Sequence, residues 1–380
     1  FFVQNKHKNT LNKISNHGYN LFRMGGNEKA KLWWLFAATF NHPKSQTNLG
    51  VLAGQEGNLE EAKEWYSKAA SQGDDGAVVN LYEAGNQLYS RDTNKAKEFW
   101  QLAAQYGHAG AQWYLGLALE ENNFDEACEW FMKAAKNGNK QALDKIALAG
   151  AFLSKEGRNK EALEYWEFAA RLGQSGAQNA LGLSEYYEGN FAEAQKWFMK
   201  AAKNGFVKAV DYLATIGAKF YEEGKKEEAK EWSRLAVQFD NQSAQCTLGV
   251  IASEEGNYEE AERLLIKAAE KGHAMAINNI FVTAKGFALK GDKKKTKEWL
   301  QIAAQFDHAD AQYYLGQSEN EEGNLEEAQK WLLKAAKNGF NEAVDYIKAI
   351  GIKLYKEGKK EEAKEWWELA DKFNHGGVKK

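Results

Sequence analysis

The chain has 380 residues, 27% of them charged, with a formal net charge of −3 and one proline against 34 glycines and 13 tryptophans. Near-balanced charge and a pI near 6.3 exclude bulk electrostatic attraction to nucleic acid or an anionic membrane. The 44% hydrophobic and 13% aromatic content excludes a disordered chain, and the shortage of proline beside abundant Ala, Glu, Lys and Leu points to an all-α protein.

Residues 1–10, FFVQNKHKNT, read as an N-terminal segment without an initiator methionine or a signal-peptide pattern. The expectation is a processed product or fragment whose targeting information lies elsewhere. Cys128 and Cys246 lie too far apart in sequence to suggest a disulfide framework. No apolar run approaches the roughly 18 residues of a membrane-spanning helix. A soluble protein without membrane insertion is expected. Its lysine and asparagine richness suggests a bacterial source, in the cytoplasm or, if a signal peptide was removed, in the periplasm or outside.

From residue 11 onward the chain repeats. An anchor residue, followed by aromatics and then Ala-Ala, recurs at Ala30, Ala62, Ala96, Ala127, Ala162, Ala194, Ala229, Ala261, Thr296, Ala328 and Ala363. These are eleven units of about 33 residues, and two unit types alternate to give a longer period of 66 to 67. One type carries a Leu-Gly pair before the anchor: Leu49-Gly50, Leu115-Gly116, Leu181-Gly182, Leu248-Gly249 and Leu315-Gly316. The other contains AVDYLATIGAKFYEEGKKEEAKEW at 209–232, echoed at 343–366, which points to tandem duplication of a two-unit block. The array is taken as 11–375 and residues 376–380 as a tail.

Each unit reads as two helices. In the unit around Ala328, residues near 309–322 form the first, and Gly323 offers a left-handed stop. Asn324 is expected to cap the second helix with Glu327 as its capping-box partner, a pairing repeated at Asn58/Glu61, Asn123/Glu126, Asn190/Glu193 and Asn257/Glu260. Gly339 ends that helix, with Lys337 near its negative terminus.

The unit length, the Leu-Gly pair, the anchor alanine, the aromatic after it and the Ala-Ala resemble the tetratricopeptide repeat. The phrases AQYYLG at 311–316 and WFMKAAKNG at 197–205 look more like the related Sel-one-like repeat. The resemblance covers residues 11–375. Two departures mark an alternating hybrid: the loop between helices lacks the Sel-one-like glycine-rich insertion, and the closing proline is nearly absent, Pro43 lying one residue past its register. The resemblance implies an α-solenoid of about eleven helix-turn-helix repeats wound into a right-handed superhelix, first helices lining a concave groove.

Twelve tryptophans fall in two adjacent columns, three or four residues after the anchor, where repetition signals packing between units. Trp113 is the exception. It sits on a first helix where the family's groove-facing positions fall, with Thr47, Asn179, Cys246 and Tyr313 as counterparts. The same geometry would aim a ladder of Asp144, Asp211, Asn278 and Asp345, with Asn12 in register, towards the groove, against the plainer reading of a solvated helix face. Tyr186, Tyr187, Tyr221 and Tyr355 would add stacking or hydrogen bonds there, while Phe220 and Leu354 turn inwards. The histidines His42, His108, His273, His308 and His375 share one turn slot with Asp74, Asn139, Gln174 and Asn241. Layers about 10 Å apart place His42 and His108 roughly 20 Å from each other, too far to share a metal ion. Lysine-rich turns at Lys225-Lys226, Lys293-Lys294-Lys295 and Lys359-Lys360 alternate with Glu254-Glu255 and Glu321-Glu322. They offer a basic edge for an acidic partner or simple solubility.

No phosphate loop, nucleophile elbow or helical His-Glu-His spacing occurs. No catalytic residue, cofactor or metal is therefore expected. The leading expectation is a scaffold or adaptor binding a protein or peptide. The alternatives are an immunity or inhibitor protein that wraps a toxin or enzyme, and the repeat segment of a larger protein. The last end, LADKFNHGGVKK, lacks a polar cap, so either the array continues or the end self-associates or meets a partner.

Overall fold

The computed structural model describes residues 2–374, with the side chains of 7–373; His375 and the tail 376–380 lie outside the described residues. It comprises two compact units, Phe1–Gly189 and Asn190–Lys380. In the first, hairpins form from α1 (Phe2–Arg23) with α2 (Asn27–Ala38), α3 (Pro43–Gln55) with α4 (Leu59–Ala70), and α5 (Asp75–Tyr89) with α6 (Thr93–Gln105). Then come α7 (Ala109–Leu119) with α8 (Phe124–Lys136), α9 (Lys140–Lys155) with α10 (Asn159–Arg171), and α11 (Ser175–Tyr187).

The second unit opens with α12 (Phe191–Lys203) and continues with α13 (Val207–Glu222) against α14 (Lys226–Val237) and α15 (Gln242–Glu254) against α16 (Tyr258–Glu270). It ends with α17 (Ala274–Leu289) against α18 (Lys293–Gln305), α19 (Ala309–Glu321) against α20 (Leu325–Lys337), and α21 (Glu342–Lys356) against α22 (Lys360–Asn374). Among the described residues there is no strand. Each unit is an α-solenoid of stacked hairpins. First helices of successive layers touch in several places, as α1 does with α3, α3 with α5, α13 with α15 and α15 with α17.

The anchor alanines are the floor of the core: every one is at most 2% exposed, and Thr296 is half-buried in the one register without alanine. A side chain of one carbon lets the two helices of a hairpin close. The glycine of the first helix completes that fit. A Cβ on Gly85 would sit 2.6 Å from the Trp100 ring, and one on Gly116 2.5 Å from the Phe131 ring, so each glycine is a socket for the aromatic four residues after the anchor.

Turns follow the expected punctuation. Gly323 and Gly339 end their helices with φ of +85° and +90°, and Asn41, Asp240 and Asp307 adopt the same left-handed conformation without being glycine. Asn58, Asn123 and Asn257 cap as expected, each accepting the N–H of the glutamate three residues on while its side-chain amide donates to that carboxylate. At Asn190 and Asn324 the expected capping box is absent. Asn324 instead donates to Glu319, and Glu193 and Glu327 turn to Lys196 and Lys330, because a charged neighbour one turn on outcompetes a neutral amide.

The two unit types differ in first-helix length. The helices α5, α9, α13, α17 and α21 have 15 or 16 residues, whereas α3, α7, α11, α15 and α19 have 11 to 13. This is the three-dimensional meaning of the doubled period.

Candidate protein-interaction surface

The turn slot occupied by histidine is a helix cap. In His42, His108, His273 and His308 the ring Nδ1 accepts the backbone N–H three residues on, at 3.2 to 3.3 Å. The proton therefore sits on Nε2, and in His42 and His273 that nitrogen lies 3.0 Å from Asn12 Oδ1 and 3.3 Å from Ser243 Oγ of the preceding layer. Burial lowers the pKa of all four rings, with Lys44 adding to the effect at His42. Among the described residues no group of His, Cys, Asp or Glu is placed to hold a metal ion.

The acidic ladder leans on those same caps. Gln174, the cap of α11, donates to Asp144 at 3.1 Å, and Asn241, the cap of α15, donates to Asp211 at 3.3 Å. Both carboxylates thus tie their first helix to the next. Asp345 is highly exposed, with Lys348 at 3.4 Å, and Asn278 is exposed on α17.

The Trp113 column lies closer to the seams. Trp113 is half-buried with its ring 5.2 Å from Phe131 of its own hairpin. Thr47 donates to Asp74 of the next layer, and Cys246 is buried and accepts from Asn279. Tyr313 lies tilted 4.7 Å from Phe340 and edge-on 5.8 Å from Tyr346, its hydroxyl accepting from Gln317. Asn179 is buried, and its Oδ1 has no hydrogen-bond partner.

The four tyrosines late in first helices separate into two kinds. Tyr187 is 81% exposed, with half-buried Tyr186 5.5 Å away, and exposed Tyr355 lies 5.7 Å from Trp367. Tyr221 donates to Glu254 at 2.6 Å; burial, then this bond, push its phenol up to about 12. Phe220 and Leu354 are buried.

Most tryptophans behave as packing groups, whereas Trp33 of α2 is exposed, its ring edge-on to His17 at 5.0 Å. Trp34, Trp100, Trp232, Trp299 and Trp366 are buried. Trp65, Trp130, Trp197 and Trp331 are half-buried, each roofed by the lysine three residues on, 4.0 to 4.6 Å from the ring centroid. Charged turns also meet across layers: Lys226 reaches Glu254 at 2.7 Å, Lys230 reaches Glu255 at 2.5 Å, and Lys297 reaches both Glu319 and Glu322 at 2.8 Å.

Sequence reasoning missed a buried glutamine column. Gln46, Gln112, Gln178, Gln245 and Gln312 are nearly inaccessible. Gln112, Gln178 and Gln312 donate to the last carbonyls of the preceding second helix, Ala104, Ala170 and Ala304. The signal was the recurrent small residue before Gln that opens each short first helix, Ala-Gln in four and Ser45-Gln46 in α3.

One surface feature follows the doubled period. Beyond α2, the exposed large apolar side chains within helices fall on α5, α9, α13, α17 and α21, except for Tyr187, Phe191 and Tyr314. Each of those five long first helices carries at least two, among them Leu148 and Phe152, Val282 and Leu289, and Ile352 and Tyr355.

The Sel1 repeat profile matches residues 43–74, 77–108, 105–139, 155–174, 175–206, 243–273, 282–305 and 309–340. The chain belongs to the Sel1 repeat family. Sel1 and tetratricopeptide-like repeats commonly serve as protein-interaction scaffolds and are typically non-enzymatic. The chain is 25% identical to chitin synthase regulatory factor 4 of Schizosaccharomyces pombe, over 59% of this chain and 45% of that protein. It is 29% identical to an uncharacterised protein of Neisseria meningitidis, over 69% of this chain and 58% of the other. Chitin synthase regulator SKT5 of Saccharomyces cerevisiae is 28% identical over 40% of this chain, which spans 24% of it. This Sel1 chain therefore spans less than half of either yeast regulator. Among solved structures, a protective antigen of uropathogenic Escherichia coli with a Sel1-like fold is 23% identical, covering 97% of this chain and 84% of the other, with a TM-score of 0.36. No helix among the described residues is long and apolar enough to cross a membrane.

Proposed function

We propose that this Sel1 chain is a non-catalytic scaffold that holds a protein or peptide against its first helices. The supporting observation is that, beyond α2, the exposed large apolar side chains within helices fall on the long first helices apart from Tyr187, Phe191 and Tyr314. Apolar groups left in water on one recurring element are the mark of an interaction surface. Asp345, Asn278 and the partly engaged Asp144 and Asp211 would supply polar contacts to a partner's amides or basic groups on the same helices, with Tyr187 and Tyr355 adding ring surface. Trp113, Asn179 and Tyr313 would act from the seams by holding adjacent layers in register.

A photo-crosslinking side chain at Leu148 or Ile352, compared with one at Glu64 or Glu231 on exposed second-helix positions, tests this in lysate of the source cell. The expected result is a partner cross-linked from the first-helix positions alone, with the yield reduced by Asp211→Ala with Asp345→Ala. Equal cross-linking from Glu64 and Glu231, or none from the first helices, overturns the reading.

A further inference from the structure

Layers 200 positions apart in sequence share one aromatic template. In the first unit, Tyr82 stacks 4.2 Å from His108 and lies 6.1 Å from Tyr114. In the second, Phe281 stacks 4.6 Å from His308 and lies 5.9 Å from Tyr314. The first template is closed by two further rings. Trp100 stacks on Tyr114 at 4.8 Å with an interplanar angle of 13°, Tyr89 lies 5.3 Å from Trp100, and the indole N–H donates to Asn86.

In the second template those rings are missing. Leu300 stands in the register of Trp100, Ala288 in that of Tyr89, Lys285 in that of Asn86, and Ala284 in that of Gly85. What remains is an open cavity of about 680 Å³ whose lining includes Phe281, Ala284, Ala288, Leu300 and Tyr314. This is within the roughly 300–1,000 Å³ of ligand pockets. Leu289, which also lines it, is 90% exposed.

The charges at its edge are set differently from those of the α13/α14 layer, where Ser233 stands in the register of Trp100. In α13/α14, Tyr221 and Lys226 both bond to Glu254 and cover the equivalent place. The matching residues here are Ala288, Lys293 and Glu321, so the tyrosine cover is absent. Lys297 is committed to Glu319 and Glu322. Lys285, whose ammonium lies 5.7 Å over the Phe281 ring, and Lys293 make no ion pair among the described residues. Two unpaired cations thus face one unpaired carboxylate, that of Glu321. Lys285 in place of the hydrogen-bond acceptor Asn86 also makes the pocket edge receptive to an anion rather than to an N–H.

We propose that this cavity is a docking pocket for an aromatic side chain of a partner protein, next to a carboxylate in that partner. The ring enters the cavity beside Leu300 and lies on Tyr314, displaced from the place of Trp100 by the Ala284 methyl; the acid is received by Lys285 and Lys293. The pocket meets the exposed apolar surface of the first helices at Leu289 but is otherwise lined from α17, α18 and α19 together, and it stands whether or not that surface binds.

The test uses a fluorescein-labelled synthetic peptide with a single tryptophan between aspartates, titrated against the full chain by fluorescence anisotropy. Saturable binding is expected, weakened at least about tenfold when the peptide's tryptophan becomes alanine or its aspartates become lysine. Restoring the closed template with Ala284→Gly, Ala288→Tyr and Leu300→Trp should weaken binding by a similar factor while raising Tm. Lys285→Glu with Lys293→Glu, at exposed positions, should do the same to binding at unchanged Tm and keeps the test decisive if the filled variant misfolds. No saturable binding by the folded wild type, or undiminished binding by either folded variant, overturns the proposal.

Discussion

The layers around Trp100 and Leu300 have the same helices, the same capping histidine and the same tyrosine on the following helix, yet one is sealed and the other open. The difference lies in a few side chains and leaves the backbone plan intact. In a stack where each layer touches only its neighbours, a layer can lose its aromatic filling without disturbing the register of the rest. A repeat array can therefore place a singular site inside a plural architecture.

The comparison is broken most directly by emptying the closed layer. Trp100→Ala should cost about 3–5 kcal/mol of local stability, whereas Leu300→Ala should sit near the low end of about 2–5 kcal/mol, because its surroundings already include a cavity. Native-state hydrogen exchange read separately over α5–α7 and α17–α19 checks this, and equal losses in the two layers would contradict the difference drawn here.

A smaller effect concerns the socket. Gly85→Ala drives a methyl to 2.6 Å from the Trp100 ring and should cost about 1–3 kcal/mol. Adding Trp100→Leu should relieve the clash, so that the double variant loses less than the sum of the singles. In the open layer Ala284→Gly should cost only about 1 kcal/mol through helix propensity. Thermal melts of the four variants give the coupling directly.

The smallest effect should be the same in both layers, which sharpens what is shared. His108 and His308 cap through Nδ1, and burial holds each ring below its ordinary value of 6.5. As pH falls, the unfolded chain takes up the proton first, so the caps' contribution is intact above about 6.5 and is lost as pH falls through the folded value. Each cap is worth about 0.5–2 kcal/mol. His108→Asn and His308→Asn, copying the caps at Asn139 and Asn241, should each flatten the fall in Tm between about pH 7.5 and about pH 5.5. A steeper fall in the variants would show that the rings are not acting as neutral caps.

Much of the architecture was legible in the residues. Anchor alanines, positive-φ glycines and the shared turn slot are read from one unit and multiplied, since each acts within a few residues of itself. Capping was legible only where nothing competed. Asn58, Asn123 and Asn257 follow the rule, but Asn324 is drawn to Glu319. The ladder of Asp144 and Asp211 was visible as a column, yet its bonds to Gln174 and Asn241 of the following layer were not. The glutamine column escaped notice because its partners lie outside its own helix: backbone carbonyls for Gln112, Gln178 and Gln312, the Gln72 and Asp240 side chains for Gln46 and Gln245.

The period, the helix ends and the alternation of two unit types are set by the residues alone, because propensity, capping and left-handed glycine act locally. Which columns are sealed in seams and which stand open was decided only in three dimensions. Leu300 in the register of Trp100 and Ala288 in that of Tyr89 are ordinary hydrophobic substitutions until Tyr314 of the following layer is seen beside them. Burial depends on that neighbouring helix, and its approach is set by packing rather than by any local rule.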